Sequence, residues 1–226
     1  LDDALSARVA LLRPDARAVL EVVCVAGAPI SLEVAEQACR LDATALTRAV
    51  ASLRVATLVR ETRRGRHIAL EPYHDRVRES VEGRIAAGSR RDLHARIAYA
   101  LEAAGEPRDP QLLLRNFQLA EVGDRAARYA EEAALRSEAA HAFDQAAELW
   151  RIALDAIPRE PADRSAMLLR LGRALVSAGR GADAAKQYLA AAEGVDRATR
   201  LECHRNAAEQ LVISGHIGPG IAALES

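Results

Sequence analysis

The residues best placed to do chemistry are Tyr73-His74-Asp75, which stand just ahead of a helix expected from Arg76 to about Ala86. A helix start carries unpaired backbone N–H groups and the positive end of the helix dipole, so it favours anions. An imidazole at His74 could therefore be set against a phosphate supplied by another domain. Asp75 is expected to be the N-cap, its carboxylate accepting a backbone N–H. The two roles are compatible.

Other chemistry-bearing patterns are missing. There is no G-x-x-x-x-G-K-[ST] loop, and the one lysine, Lys186, has no glycine-rich loop ahead of it. No H-E-x-x-H, G-x-S-x-G, G-x-G-x-x-G or EF-hand pattern occurs. Cys24, Cys39 and Cys203 lie far apart without a C-x-x-C pair, and the six histidines have no ligand spacing. The cysteines are expected to serve as small buried hydrophobes in a reduced, cytoplasmic protein. The 32 acidic and 31 basic residues suit the solvated faces of amphipathic helices. The chain is thus expected to hold no catalytic residues, no metal and no cofactor of its own. A net charge of −1 removes the electrostatic case for a general nucleic-acid binder. No uncharged apolar run reaches the ~18 residues of a membrane span, and no leader-like segment opens the chain. A chain that begins at Leu1, with Met167 its only methionine, is expected to be a piece of a longer protein.

The elements that must position His74 follow from composition and punctuation. Half the residues are hydrophobic, only 3% are aromatic, and alanine, leucine, arginine and glutamate dominate, which predicts a mainly α chain. Asp2 and Asp3 can cap a short helix. Pro14-Asp15 opens a second to about Val25, stopped by Gly27 and Pro29. Ser31 starts a helix to about Arg40, and Asp42 or Thr44 caps another to about Val55. Two β-prone runs, from Thr57 to Glu61 and from His67 to Glu71, flank the turn Arg63-Arg64-Gly65-Arg66 and read as a hairpin that Pro72 ends. Three helices and a hairpin are the order of a winged helix, here residues 1–88. Its third helix carries a core stripe of Leu46, Val50 and Leu53 but only Arg48 and Arg54 as basic residues, few for reading DNA. The arginine-rich turn reads as solvated.

From Ser89, expected to cap a helix from Arg90 to Ala104, the pattern is helix, short break, helix. Asp109-Pro110 opens a helix to about Glu121, and Gly123-Asp124 one to Ala139. Leu168, Leu171, Gly172 and Leu175, followed by Ala184, Tyr188 and Ala191, fall on the tetratricopeptide signature of ~34 residues. The same frame lands earlier on Ala130, Ala133, Ala134, Ser137, Ala146, Trp150, Ala153 and Pro158, and later on His204, Ala207, Ala208, Leu211, Gly220 and Leu224. Small residues are needed where paired helices cross closely, at Ala134, Gly172 and Ala208; large ones, Trp150, Tyr188 and Leu224, fill the space beside them. The spacings from Ala134 to Gly172 and from Gly172 to Ala208 are 38 and 36 residues, so the loops between repeats are expected to carry the excess. Residues 89–226 therefore read as a tetratricopeptide-like domain with its last repeat truncated. In such a stack the first helices line a groove, which projects Arg128, Glu131, Glu138, Arg173, Glu202, Arg205 and Glu209 as a mixed-charge face for a protein or peptide.

Several segments together resemble a known family: Ala26-Gly27-Ala28-Pro29-Ile30, Ala51-Ser52-Leu53-Arg54 through Leu58-Val59-Arg60, and above all the run Pro72-Tyr73-His74-Asp75-Arg76-Val77-Arg78-Glu79. Leu93-His94-Ala95-Arg96-Ile97-Ala98, the run from Ala142 to Trp150 and Ala207-Ala208-Glu209-Gln210-Leu211 extend the match along the chain. They resemble the region that follows the nucleotide-binding core in bacterial STAND-type (AAA-related) signalling ATPases, among them multidomain proteins with a serine/threonine kinase domain. The resemblance implies a winged-helix lid beside an ATPase module and then a tetratricopeptide sensor arm. It implies that His74 matches the lid histidine that contacts bound ADP and helps hold the inactive state. ATP exchange would swing lid and arm, and a partner on the arm would bias that equilibrium. The P-loop and kinase motifs are not in these 226 residues, so ATP or ADP binding and phosphoryl transfer fall to the parent protein. The expected partners are the adjacent ATPase module and a protein or peptide on the repeats. A winged-helix transcription regulator with a repeat arm is the alternative.

Overall fold

Pro14 opens α1 (Pro14–Val25) at the first helical position, where a missing N–H costs nothing. The computed structural model describes residues 7–64, 67–105 and 109–225. The cap expected at Asp2 and Asp3 and the turn residues Gly65 and Arg66 lie outside the described residues. α1 is buried on most sides, through Val19, Leu20, Val23 and Cys24, and Gly27 ends its loop with φ +78°, a value only glycine adopts freely. A two-residue strand β1 (Ile30–Ser31) leads into α2 (Leu32–Cys39), whose cap is Ser31 Oγ accepting from Val34 N at 3.2 Å. Asp42, and not Thr44, caps α3 (Ala43–Val55), accepting from Ala45 N at 2.8 Å. Leu46, Val50 and Leu53 are buried as expected.

The hairpin is β2 (Val59–Arg64) and β3 (His67–Pro72), antiparallel with Glu61 opposite Leu70. β1 adds to the far side of β3, giving the order β1-β3-β2. After it come α4 (Asp75–Glu82), α5 (Ala87–Ala103) and α6 (Pro110–Leu119). α5 begins two residues before Ser89, after Ala86 and without a side-chain cap, so the expected cap is instead a residue of the first turn. α6 begins as expected, Asp109 accepting from Gln111 N and Leu112 N.

Packing divides the chain into two units, Leu1–Val122 and Gly123–Ser226. The sequence places a boundary near residue 88; here α5 and α6 go with the first unit. Leu93, Ile97 and Ala100 of α5 bury in the same core as Leu20, Leu53 and Leu70, and α6 packs along α5.

The second unit is α7 (Gly123–Ala139), α8 (Phe143–Ala156), α9 (Pro161–Ser177), α10 (Gly181–Ala191), α11 (Arg197–Ile213) and α12 (Ile217–Glu225), each packed on the next. The three hairpin turns are built alike. His141, Gly179 and Gly215 take left-handed φ of 58°, 75° and 84°, at positions 38 and then 36 residues apart. One residue on, the N–H groups of Ala142, Arg180 and His216 each donate at 2.8 Å to the carbonyls of Ser137, Leu175 and Leu211. Sequence frame and backbone hydrogen bonding thus repeat together. The difference between the two spacings is carried mainly by a helix, not a loop: α8 has 14 residues and α10 has 11. Trp150 and Tyr188 fill the interior as expected, but Leu224 is 64% exposed on α12. Among the described residues no helix is long and apolar enough to cross a membrane.

Candidate functional site

The first unit has a cleft of about 300 Å³ between the α1–β1 loop and the β3–α4 junction. Gly27, Ala28 and Pro29 line it from the loop, and Tyr73, His74 and Arg78 from the junction. Two segments far apart in sequence, those singled out as Ala26–Ile30 and Pro72–Glu79, therefore face one space. The backbone holds them there: β1 and β3 are paired, and Tyr73 N donates to Leu58 O at 3.0 Å.

His74, and not Asp75, is the N-cap of α4. The chain leaves β3 extended, with His74 at φ −151° and ψ 150°, so its side chain folds back and Nδ1 accepts from Arg76 N at 3.3 Å. Asp75 is already helical, and its carboxylate pairs with Arg78 Nη2 at 3.0 Å. Capping through Nδ1 places the proton of the neutral ring on Nε2, where it is a donor. The ring is exposed. Arg60, also on the cleft, holds Glu71 at 2.7 Å. An imidazole donor and a helix start suit an anion such as phosphate, while both guanidinium groups are paired, Arg60 with Glu71 and Arg78 with Asp75, and those carboxylates line the cleft too. The volume is at the lower limit of a small-molecule site.

Cys24 also lines the cleft, with its thiol held in the protonated form. Burial first, then the nearby Glu82 carboxylate, push its thiol up to about 12. Burial likewise pushes Cys39 up to about 12 and raises Cys203. Among the described residues no group of three His, Cys, Asp or Glu side chains could hold a metal ion.

Behind the Gly27 loop lies a buried polar pair that the sequence reading did not find. His94 of α5 is 4% exposed and Asn116 of α6 is 0% exposed. Asn116 Nδ2 donates to Leu112 O at 2.9 Å and to Ala26 O at 3.3 Å. With both amide hydrogens used, Oδ1 is the acceptor, and His94 Nδ1 donates to it at 2.9 Å. The available signal was a polar residue at an apolar position, Asn116 beside the buried Phe117. Burial is the main cause lowering the His94 pKa below its ordinary value. The unfolded chain, titrating near 6.5, therefore takes up the proton first, and folding loses stability as pH falls below about 6.5. Circular-dichroism melts should show the first unit melting lower on going from about pH 7 to about pH 5, with a shallower slope in His94→Gln. Equal slopes would place the acid sensitivity elsewhere.

The projected partner face is divided between folding and solvent. Glu138 accepts from Trp150 Nε1 at 2.6 Å, and Glu131 pairs at 2.7 Å with Arg159. Both carboxylates are half-buried and already serve the packing of α7 on its neighbours. Arg128, Arg173, Glu202, Arg205 and Glu209 are exposed. On α3, Arg48 and Arg54 are exposed, but Arg54 pairs with Glu61 of β2 at 3.0 Å, which brings a carboxylate to the surface a DNA backbone would have to approach.

No family model matches the chain, and no curated protein matches it in sequence. In structure it is similar to a Signal Transduction ATPase with Numerous Domains (STAND) protein with a tetratricopeptide repeat sensor from Pyrococcus horikoshii, at 16% identity and a TM-score of 0.55. The match covers 96% of this chain and 32% of that one, so this chain spans about a third of that protein's length and shares with it the fold.

Proposed function

We propose that the chain is the non-catalytic regulatory and protein-interaction segment of a bacterial, cytoplasmic STAND-type signalling ATPase, one linked to a serine/threonine kinase. Residues 1–88 act as a winged-helix lid, α5 and α6 follow it, and the tetratricopeptide-like helices form the sensor arm. ATP and ADP bind in the adjacent ATPase module. His74 meets the nucleotide phosphate from the lid side, and a protein or peptide binds the arm through the exposed Arg128, Arg173, Glu202, Arg205 and Glu209, with Glu131 and Glu138 at the edge of that face.

The observation that carries the reading is the likeness of nearly the whole chain to a STAND protein with a tetratricopeptide sensor, joined to a cleft whose donors suit a phosphate. Mechanistically, His74 Nε2–H would donate to a phosphate oxygen while Nδ1 caps α4 at 3.3 Å, a contact that orients the ring. A change of nucleotide that altered the position of that acceptor would weaken the His74 contact and favour another lid position. A partner that prefers one lid position shifts the equilibrium by its differential affinity.

The test is His74→Ala in the full-length protein, with ADP release followed by a fluorescent analogue. Loss of one hydrogen bond to a charged group, about 1.5 kcal/mol, should speed release roughly tenfold. Unchanged release with the variant folded would remove His74 from the nucleotide site.

A further inference from the structure

We infer that Asn116 and His94 are positioning residues for the cleft: through the Ala26 carbonyl they set the Gly27–Pro29 wall, and so tie that wall to α6, the last helix before the repeats in the chain. The inference rests on reading the cleft as a phosphate site, and it concerns how that site is controlled.

Three observations on different elements converge. The β1–β3 pairing holds the far end of the loop from Ile30 on, whereas its near end turns at Gly27 with φ +78°. A long-range polar restraint reaches it from the helices behind: Asn116 Nδ2 donates to Ala26 O, across 90 positions of sequence. Asn116 cannot turn to satisfy other partners. Its second amide hydrogen is held by Leu112 O in its own helix, and its oxygen by His94. Arg115, the residue before it, lies over Gly27 so closely that a Cβ there would strike the guanidinium. α6 therefore reaches this stretch at two adjacent residues, Ala26 through Asn116 and Gly27 through the Arg115 side chain.

Asn116 is buried with both amide hydrogens and its oxygen engaged, so the link to Ala26 is either made or broken at a definite cost. Moving α6 away by about 1 Å breaks the bond to Ala26 and strands a carbonyl, at a cost that an apolar contact would not impose. A displacement of α6 is thereby passed to the wall opposite His74. The wall moves as part of the cleft, so the distance a phosphate must span changes.

Amide hydrogen exchange of the 226-residue chain tests the link without any ligand. Asn116→Leu, close in volume and apolar, should speed exchange of the Ala26 and Ile30 amides at least tenfold and leave those of α3 unchanged. His94→Gln keeps an N–H for Asn116 Oδ1 and should exchange like the unmodified chain, whereas His94→Leu should not. If Asn116→Leu does not fold, the two His94 variants decide alone: equal exchange in both, or no change in either, overturns the inference, since packing by itself would then hold the loop. Inorganic pyrophosphate, titrated while the His74 ring resonances are followed, separates the two readings. Binding that weakens in step with loop exchange supports both. No binding by the unmodified chain counts against the phosphate cleft, while the exchange data still judge the link.

Discussion

Trp150→Ala should destabilise the second unit by about 3–5 kcal/mol, the range for deleting a buried aromatic. Trp150 is buried in α8 between neighbours on both sides: its Nε1 donates to Glu138 of α7 at 2.6 Å, and the Arg170 guanidinium of α9 lies 5.4 Å from its ring centroid. The ring therefore joins three successive helices, and its loss opens a void that no adjacent side chain fills. The hydrogen bond is the smaller part, because Glu138 is half-buried and regains water when released. Trp150→Phe separates the terms: it keeps most of the ring and should cost only about 1 kcal/mol. Urea melts by circular dichroism give both values. The parent chain also permits a direct check, since Trp150 is its only tryptophan and its fluorescence reports the second unit alone. A cost below about 1 kcal/mol for Trp150→Ala would mean that the ring does not bridge these helices.

That bridge bears on function. An arm that conveys partner binding must not yield between its helices, and Glu138 stands both in the projected partner face and at the end of the Trp150 bond. A ligand drawing on Glu138 would compete with the packing of α7 on α8. The exposed Arg173, Glu202, Arg205 and Glu209 carry no such cost, so under the proposed function a partner would gain affinity there.

What was legible in the sequence divides by the range of the interaction. Caps and breaks such as Pro14, Ser31, Asp42 and Asp109 act within a turn, and the structure uses each. The repeat frame was legible because close helix crossings demand small residues at fixed intervals, and the left-handed turns at His141, Gly179 and Gly215 keep that interval. β1 was not, because two residues carry no alternation and the strand exists only by pairing with β3. The cap of α4 was misplaced by one residue because aspartate is the stronger capping type, whereas the extended exit from β3 sets the register and puts His74 at the cap. The Asn116–His94 pair joins two helices through a third segment, and neither residue's neighbours in sequence reveal such a closure. For the cleft, the sequence marked Ala26–Ile30 and Pro72–Glu79 only as segments that carry the resemblance; that they face each other follows from the β1–β3 pairing.

Gly172→Leu should cost on the order of 3 kcal/mol, the upper part of the range for overpacking, and lower the melting point of the second unit by roughly 10 °C or more. Gly172 lies in the middle of α9, where glycine is about 1 kcal/mol worse than alanine. Its presence there is explained by Tyr188 of α10: a Cβ on Gly172 would come within 2.8 Å of Tyr188 Cδ1 and 2.9 Å of Cζ. The ring is buried and cannot withdraw into solvent, so α9 and α10 must part. The smaller change Gly172→Ala gives a sign test. With Tyr188 in place the added methyl meets the ring, and the clash should outweigh the helix-propensity gain, making the variant less stable. In a Tyr188→Ala background the space is open, and the same substitution should stabilise by about 1 kcal/mol. The reversal isolates the crossing from every other consequence of adding a methyl group. If Gly172→Ala instead stabilises the unmodified chain, the two helices do not approach as closely as the repeat frame requires, and the glycine has no packing role in the arm.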